Sequence, residues 1–71
     1  MERDAVHSEA IASIGYDPPS RVLEVEFAGG GIYRYFDVPP EVYERFLQAD
    51  SKGRFITCCI KPAYPYQKWP A

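Results

Sequence analysis

The first half of the chain carries short segments of apolar residues that are typical of β-strands. Three segments are predicted as strands: residues 8–16, 21–27 and 32–37. The second is the clearest, because Leu23, Val25 and Phe27 alternate with glutamates, so that one face is buried and the other solvated. An Asp-Pro-Pro-Ser turn at 17–20 and a glycine-rich loop at 28–31 separate the segments, and these short connections predict a three-stranded antiparallel meander.

The loop between the second and third strands decides which side chains face the core. A two-residue turn would place Arg34 on the apolar face, whereas a three-residue loop with a bulge pairs Val25 with Tyr33. The longer loop also pairs Glu24 with Arg34, which brings opposite charges together. We therefore predict Tyr33 and Tyr35 on the core face and Arg34 outside, since a slip of one residue would reverse every side chain. Packing and recognition both remain open as roles for the two tyrosines.

After the third predicted strand, the apolar residues are spaced as they are in helices. Pro40 suits the first turn of a helix predicted over residues 41–49. Its apolar stripe has four members: Val42, Tyr43, Phe46 and Leu47. A second short helix is predicted over residues 52–60, with Ser51 as its cap. Its apolar face would hold Phe55, Ile56, Cys59 and Ile60. A fourth strand in this segment is the alternative, because Gly53 weakens a helix and Ile56-Thr57 is β-branched.

Three prolines, at positions 62, 65 and 70, predict that the C-terminal segment has no regular structure. The predicted fold is α+β: a three-stranded antiparallel meander followed by two short helices packed on one face, with an extended proline-rich C-terminal tail. We expect residues 1–7 to be disordered, residues 8–68 to form a single domain, and residues 69–71 to be its C-terminal end.

Length and composition narrow the class of protein. The 71 residues allow one small domain, and no apolar run approaches the roughly 20 residues that cross a bilayer. A charged N-terminus without a following apolar segment indicates no signal peptide, so a cytoplasmic location without membrane association is expected. The adjacent Cys58 and Cys59 predict free thiols, because neighbouring cysteines form a disulfide only in strained geometry.

Catalytic and metal-binding patterns are nearly absent from the sequence. His7 is the single histidine and lies far from the two cysteines, so no metal site is expected. The Gly29-Gly30-Gly31 run lacks the helix and lysine that a phosphate-binding loop requires. The sequence therefore predicts a protein that is not an enzyme and that uses no cofactor.

Charge is distributed unevenly along the chain. Residues 1–50 carry all ten acidic residues and four basic ones, for a net charge of −6; residues 51–71 carry four basic residues and no acid, for +4. Cations bind phosphates and aromatic rings stack on unpaired bases, so this end is a candidate surface for single-stranded nucleic acid. The candidate residues are Lys52, Arg54, Lys61, Tyr64, Tyr66, Lys68 and Trp69. The alternative is that the tail packs over the acidic part and its rings cover the sheet.

Several short segments, in order along the chain, together resemble the KTSC domain family. They are Ser8-Glu-Ala-Ile11, Gly15-Tyr16-Asp17, Leu23-Glu-Val-Glu-Phe27, Tyr33-Arg-Tyr35, Val38-Pro39, Ser51-Lys-Gly53 with Phe55, Ile60, and Tyr64-Pro-Tyr66. The resemblance covers about residues 8–68 and implies that Tyr33, Tyr35, Ser51 and Gly53 are family motif residues. After Ser-x-Gly the family usually has an aromatic pair and an Asn, whereas this chain has Phe55-Ile56-Thr57.

The resemblance also carries expectations about function. The family is found at the C-terminal end of some lysyl-tRNA synthetases and as small stand-alone bacterial and phage proteins. It has no established activity, and RNA binding is suggested for it by this fusion, which is an argument by association. The leading hypothesis is a non-enzymatic module with weak, salt-sensitive binding of RNA or another single-stranded nucleic acid. The alternatives are a protein-interaction module, using a sheet edge or the aromatic tail, and an accessory structural domain.

Overall fold

The computed structural model describes residues 4–5 and 10–69. Its strands are β1 (Asp4–Ala5), β2 (Ile11–Asp17), β3 (Val22–Phe27), β4 (Ile32–Tyr35) and β5 (Tyr66–Trp69). Its helices are α1 (Pro40–Gln48) and α2 (Lys52–Phe55), and α2 continues into a π-helical turn (Ile56–Ile60). The fold is α+β, with one antiparallel sheet in the order β1-β2-β3-β4-β5.

The C-terminal segment is a strand, so the prediction of an irregular tail beside a three-stranded sheet is wrong. β5 pairs antiparallel with β4, with Tyr66 opposite Tyr35. The ladder continues through the Phe36 N–H, which donates to the Pro65 carbonyl at 2.8 Å. The prolines flank residues 66–69 without interrupting them, so every backbone N–H of this strand is available for pairing with the edge that β4 presents. Trp69, placed outside the predicted domain boundary, is the last residue of this strand.

The N-terminal end also differs from the prediction. Asp4 and Ala5 pair antiparallel with Ile14 and Ser13, so this part of the segment predicted as disordered is a short strand at the sheet edge. Pairing with β2 gives the backbone groups of these two residues hydrogen-bond partners. The rest of residues 1–9, including His7 and the predicted start of the first long strand, lies outside the described part of the chain.

The predicted register between β3 and β4 is confirmed. Val25 lies opposite Tyr33 and Glu24 lies opposite Arg34. The connecting loop closes with a hydrogen bond of 3.0 Å from the Phe27 N–H to the Gly31 carbonyl. Gly30 and Gly31 have φ angles of 105° and 93°, which glycine adopts without a steric penalty.

Both predicted helices form on one side of the sheet. Pro40 lies in the first turn of α1, and Phe46 is the residue of the predicted stripe that is fully buried. The side chain of Ser51 caps α2, since its Oγ accepts from the Arg54 N–H at 3.4 Å. Residues 52–60 are helical throughout, so the fourth strand considered for this segment does not form.

The π-helical turn changes which residues after α2 face the core. The Lys61 N–H donates to the Ile56 carbonyl at 2.7 Å, which closes a turn of five residues. Ile56 and Ile60 are buried as predicted, but Cys59 is exposed. A turn one residue wider rotates Cys59 away from the face that α-helical spacing assigns to it.

The two cysteines form a disulfide with each other, so the prediction of free thiols is wrong for this structure. Both side chains are exposed on the π-helical turn.

The core lies between the sheet and the helices. Its buried members are Ile11, Ile14, Leu23, Val25, Tyr35, Val38, Phe46, Ile56 and Ile60. Tyr16 closes one end of this core: its ring stacks on Tyr43 at 4.4 Å between centroids, and its hydroxyl donates to the Val38 carbonyl. Within the described residues, no helix is both long and apolar enough to cross a membrane.

Candidate functional site

β4 and β5 present different side chains to the two faces of the sheet. Directly paired residues share a face, so Tyr33 and Lys68 lie on the side that the helices cover. Arg34 and Trp69 lie on the opposite side. We call these faces the helix side and the outer side. The aromatic and basic residues of the C-terminal strand are therefore divided between them.

A cleft opens on the helix side, between the end of the β3–β4 hairpin and the π-helical turn. We call it the tyrosine cleft, and its volume is about 310 Å³. The lining residues are Phe27, Gly30, Tyr33, Tyr35, Ile56, Thr57, Lys61 and Tyr66. Two of them, Tyr33 and Tyr35, are the tyrosines of the family motif.

Aromatic rings form one wall of the tyrosine cleft. The ring centroid of Tyr66 lies 5.9 Å from that of Tyr33 and 5.6 Å from that of Tyr35. Phe27 meets Tyr33 edge to face at 5.4 Å. Tyr35 is 2% exposed and anchors the group in the core, whereas Tyr66 is 45% exposed. The wall thus combines a rigid base with one aromatic ring that is open to solvent.

Three tyrosines line the tyrosine cleft, and their hydroxyls have no hydrogen-bond partner in the described part of the chain. Among the described residues, none accepts from or donates to the hydroxyls of Tyr33, Tyr35 or Tyr66, and no buried side-chain polar atom lacks a partner. The Tyr35 hydroxyl must therefore reach the open space of the cleft. Burial, with smaller contributions from the two neighbouring phenols, raises the pKa of Tyr35 to about 12. Its hydroxyl stays protonated at neutral pH and can donate a hydrogen bond.

Positive charge lies at the mouth of the cleft. The Nζ of Lys61 is 6.0 Å from the centroid of the Tyr66 ring. The Lys68 side chain passes close to Gly31, since its Cε would lie 3.6 Å from a Cβ built there. Within the described part of the chain, neither lysine forms a salt bridge, and no acidic residue lines the cleft. Both charges are available to an anionic ligand.

A second, more open cleft of about 640 Å³ adjoins the first and shares Phe27 and Thr57 with it. We call it the arginine cleft, because Arg54 lines it. The motif residues Ser51 and Gly53 also line it and have structural roles there. Ser51 caps α2, and Gly53 allows close approach, because a Cβ built on it would lie 2.9 Å from the Cβ of Ala10.

The remaining predicted binding residues lie away from these clefts. Tyr64 is half-buried against the core. The Nζ of Lys52 donates to the Leu47 carbonyl at 3.2 Å, at the end of α1. Trp69 is 45% exposed on the outer side. The seven residues selected from the sequence therefore do not form one surface, and their role in nucleic-acid binding stays a prediction.

The outer side has its own cluster of charge and aromatic surface. The Nε of Arg34 donates to Oε1 of Glu24 at 3.1 Å, as the register predicted. Its guanidinium carbon lies 4.5 Å from the centroid of the Trp69 ring. The side chain of Glu24 is only 6% exposed. This cluster holds Trp69 in place on the sheet.

Sequence reasoning missed part of the tyrosine cleft. Phe27, Ile56 and Thr57 were assigned to the core or left unassigned, and they line the cleft because the π-helical turn lies over the hairpin. The signal that existed was the placement of Tyr33 and Tyr35 on the core face, since their hydroxyls needed partners or solvent there.

The chain is similar to a protein-family model, to a small protein of about the same length and to a part of a larger enzyme. The model of the KTSC domain matches residues 7–64. An uncharacterized protein from Stutzerimonas stutzeri is 48% identical over 69 residues, which is 97% of this chain and 96% of that protein. A lysine–tRNA ligase from Nostoc sp. is 38% identical over 58 residues, which is 82% of this chain and only 10% of the ligase.

A solved structure has the same fold. It is the crystal structure of a KTSC domain protein from Yersinia pestis, which is 43% identical and superposes with a TM-score of 0.89 over 94% of each chain. The family model covers most of the chain, and the similarity to the Stutzerimonas stutzeri protein and to the Yersinia pestis structure extends over nearly all of it. The chain therefore belongs to the KTSC domain family.

Proposed function

We propose that this KTSC domain is a non-enzymatic module that binds single-stranded RNA on its helix side. The binding surface consists of the tyrosine cleft, Lys68 at its edge, and Arg54 in the adjoining cleft. The observation that carries the proposal is the free charge: Lys61, Lys68 and Arg54 form no salt bridge with any described residue. Lys61 lines the tyrosine cleft, Arg54 lines the arginine cleft, and the described lining of neither cleft includes an acidic residue.

Electrostatics favours an anionic polymer on this side. Counterion release makes phosphate binding depend on salt, with a slope of about −0.7 in log K against log salt for each phosphate neutralised on a single strand. Three cations predict a slope of about −2. The chain as a whole has a net charge of −2, so the binding is weak and is lost at high salt.

The aromatic wall favours a single strand over a duplex. Tyr66 presents a half-exposed ring beside Lys61, and bases stack on such rings only when they are unpaired. The described lining of the tyrosine cleft includes no carboxylate, imidazole or thiol. Phenols, a threonine and an ammonium group support binding more readily than acid–base chemistry at neutral pH.

One of the similar proteins also favours RNA binding as the function. A lysine–tRNA ligase, which by its name acts on a tRNA, contains a segment similar to this chain. A domain attached to such an enzyme would usefully add affinity for RNA. This support is associational, and the charge and ring geometry carry the proposal.

Fluorescence anisotropy with a labelled single-stranded RNA, measured over a range of salt concentrations, tests the proposal. We expect the Lys61→Ala/Lys68→Ala variant to bind more weakly and to reduce the salt slope by about 1.4, the share of two phosphate contacts. Arg45→Ala is the control: it removes one exposed positive charge of α1 that lines neither cleft. It should leave the slope nearly unchanged.

Absence of binding at low salt, or equal loss in the control and the double variant, would contradict the proposal. The competing function is a protein-interaction module that uses the exposed edge of β5. Capture of a protein partner that survives nuclease treatment, together with no affinity for RNA, would support that function and refute ours.

A further inference from the structure

We infer that the tyrosine cleft is a one-nucleotide site, which holds a single unstacked nucleotide of a single-stranded RNA through both its base and its phosphate. This inference rests on the proposed function and makes it specific. The proposed function requires that cations bind the phosphate backbone and that unpaired bases contact the exposed Tyr66 ring. The further claim is that one base leaves the strand and enters the protein.

The size of the cleft sets the first limit. A volume of about 310 Å³ is at the lower end of the range for small-molecule sites. Such a space takes one compact group and excludes a length of polymer. The rest of the strand would then pass over the surface, towards Arg54 and the arginine cleft that shares Thr57 with this one.

The walls of the cleft suit a flat ring. The Tyr66 ring, held by its neighbours Tyr33 and Tyr35, forms one side, and Ile56 on the π-helical turn contributes an apolar surface. The aromatic wall is rigid because Tyr35 is anchored in the core. A base that stacks on Tyr66 would therefore cost little reorganisation of the protein.

The polar groups of the cleft suit the edge of a base and a phosphate. The hydroxyls of Tyr33 and Tyr35 have no partner among the described residues, so a base edge would supply the hydrogen bonds that they lack. The Nζ of Lys61 lies over the Tyr66 ring, 6.0 Å from its centroid, so a base that stacks on this ring would take the place of the ammonium group, which would then pair with the phosphate of the same nucleotide. One nucleotide would thus contact the aromatic ring of Tyr66, the tyrosine hydroxyls and the ammonium group of Lys61 at the same time.

The first experiment compares two RNAs with the same backbone charge. A short single-stranded oligouridine and the same oligomer with abasic riboses are titrated against the intact chain by fluorescence anisotropy. We expect the abasic RNA to bind about tenfold more weakly, because stacking is lost while the phosphates remain. Equal affinity for the two RNAs would overturn the one-nucleotide site but leave RNA binding in place. Failure of both RNAs to bind at low salt would overturn the proposed function itself.

The second experiment removes single hydroxyls without removing rings. Tyr33→Phe and Tyr35→Phe should each weaken binding of the intact oligouridine by about threefold to tenfold and leave binding of the abasic RNA unchanged. Tyr64→Phe is the control, because this residue packs against the core outside the cleft lining. Two cleft variants are used so that a folding defect in one does not decide the result. The inference would be overturned if only Tyr64→Phe lost affinity for the oligouridine, or if the cleft variants lost as much affinity for the abasic RNA as for the intact RNA.

Discussion

We expect Gly53→Ala to destabilise the fold, because an added Cβ would lie 2.9 Å from the Cβ of Ala10, just before β2. Carbon atoms pack best at about 3.5–4.0 Å, so α2 and the sheet would have to separate by roughly 0.6 Å or more. Overpacking of this kind costs about 1–3 kcal/mol. Alanine regains up to about 1 kcal/mol of helix propensity over glycine, and less in a first turn. The net loss should be about 1 kcal/mol.

Urea unfolding and thermal melting measure this loss. For a domain of this size, about 1 kcal/mol lowers the melting temperature by about 4–8 °C. Gly29→Ala is the matched control, because a Cβ there meets nothing within 4 Å, and its stability should not fall. Adding Ala10→Gly to Gly53→Ala removes the opposing methyl group and should restore part of the loss. A Gly53→Ala protein as stable as the original would refute the close approach as the reason for glycine at this position.

Three further outcomes follow from the structure. Burial raises the pKa of Tyr35 from 10.0 to about 12, so the folded state holds the phenol proton more tightly than the unfolded state does. The stability that this provides should be complete below pH 10 and should fall as the pH rises towards 12. Denaturant titrations across this pH range should show a smaller decline for Tyr35→Phe. Arg34→Met removes the ion pair between the guanidinium and the Glu24 side chain, which is only 6% exposed, and should lower the unfolding free energy by about 1 kcal/mol; an unchanged urea midpoint would contradict this. Tyr16→Phe removes the hydrogen bond to the Val38 carbonyl and should cost about 1 kcal/mol in the same assay, whereas no loss would show that water replaces it.

Local patterns in the sequence were sufficient to predict the central part of the sheet. The alternation of Leu23 and Val25 with glutamates gives the buried face of β3, and the pairing of Glu24 with Arg34 selects one register from two. These features depend on neighbours in sequence and on one short loop. Such short-range constraints can be read from a single chain.

The fifth strand could not be predicted in the same way. Residues 66–69 are flanked by prolines and exposed on both sides, so they lack the alternation that marks a half-buried strand. They become a strand because the edge of β4 is available after the chain has passed through both helices. A pairing decided by tertiary structure leaves little signal in local sequence.

The candidate site was only partly visible for a similar reason. The concentration of positive charge after position 50 predicts one binding surface formed by the residues of that segment. Successive side chains of a strand point to opposite faces, however, so Tyr66 and Trp69 of β5 lie on opposite sides of the sheet. The cleft forms instead where β5 meets Tyr33 and Tyr35 and where the π-helical turn lies over them. A π turn has no reliable signature in a single sequence, and it decides that Thr57 lines the cleft.

Mapping by nuclear magnetic resonance tests the central claim most directly. An isotope-labelled sample of the chain is titrated with unlabelled single-stranded oligouridine at low salt. We expect the signals of Tyr33, Tyr35, Lys61 and Tyr66 to shift together and to saturate with one affinity, while the signal of Glu24 on the outer side stays in place. Shifts confined to the outer side around Trp69, or no saturable shifts at all, would contradict the claim.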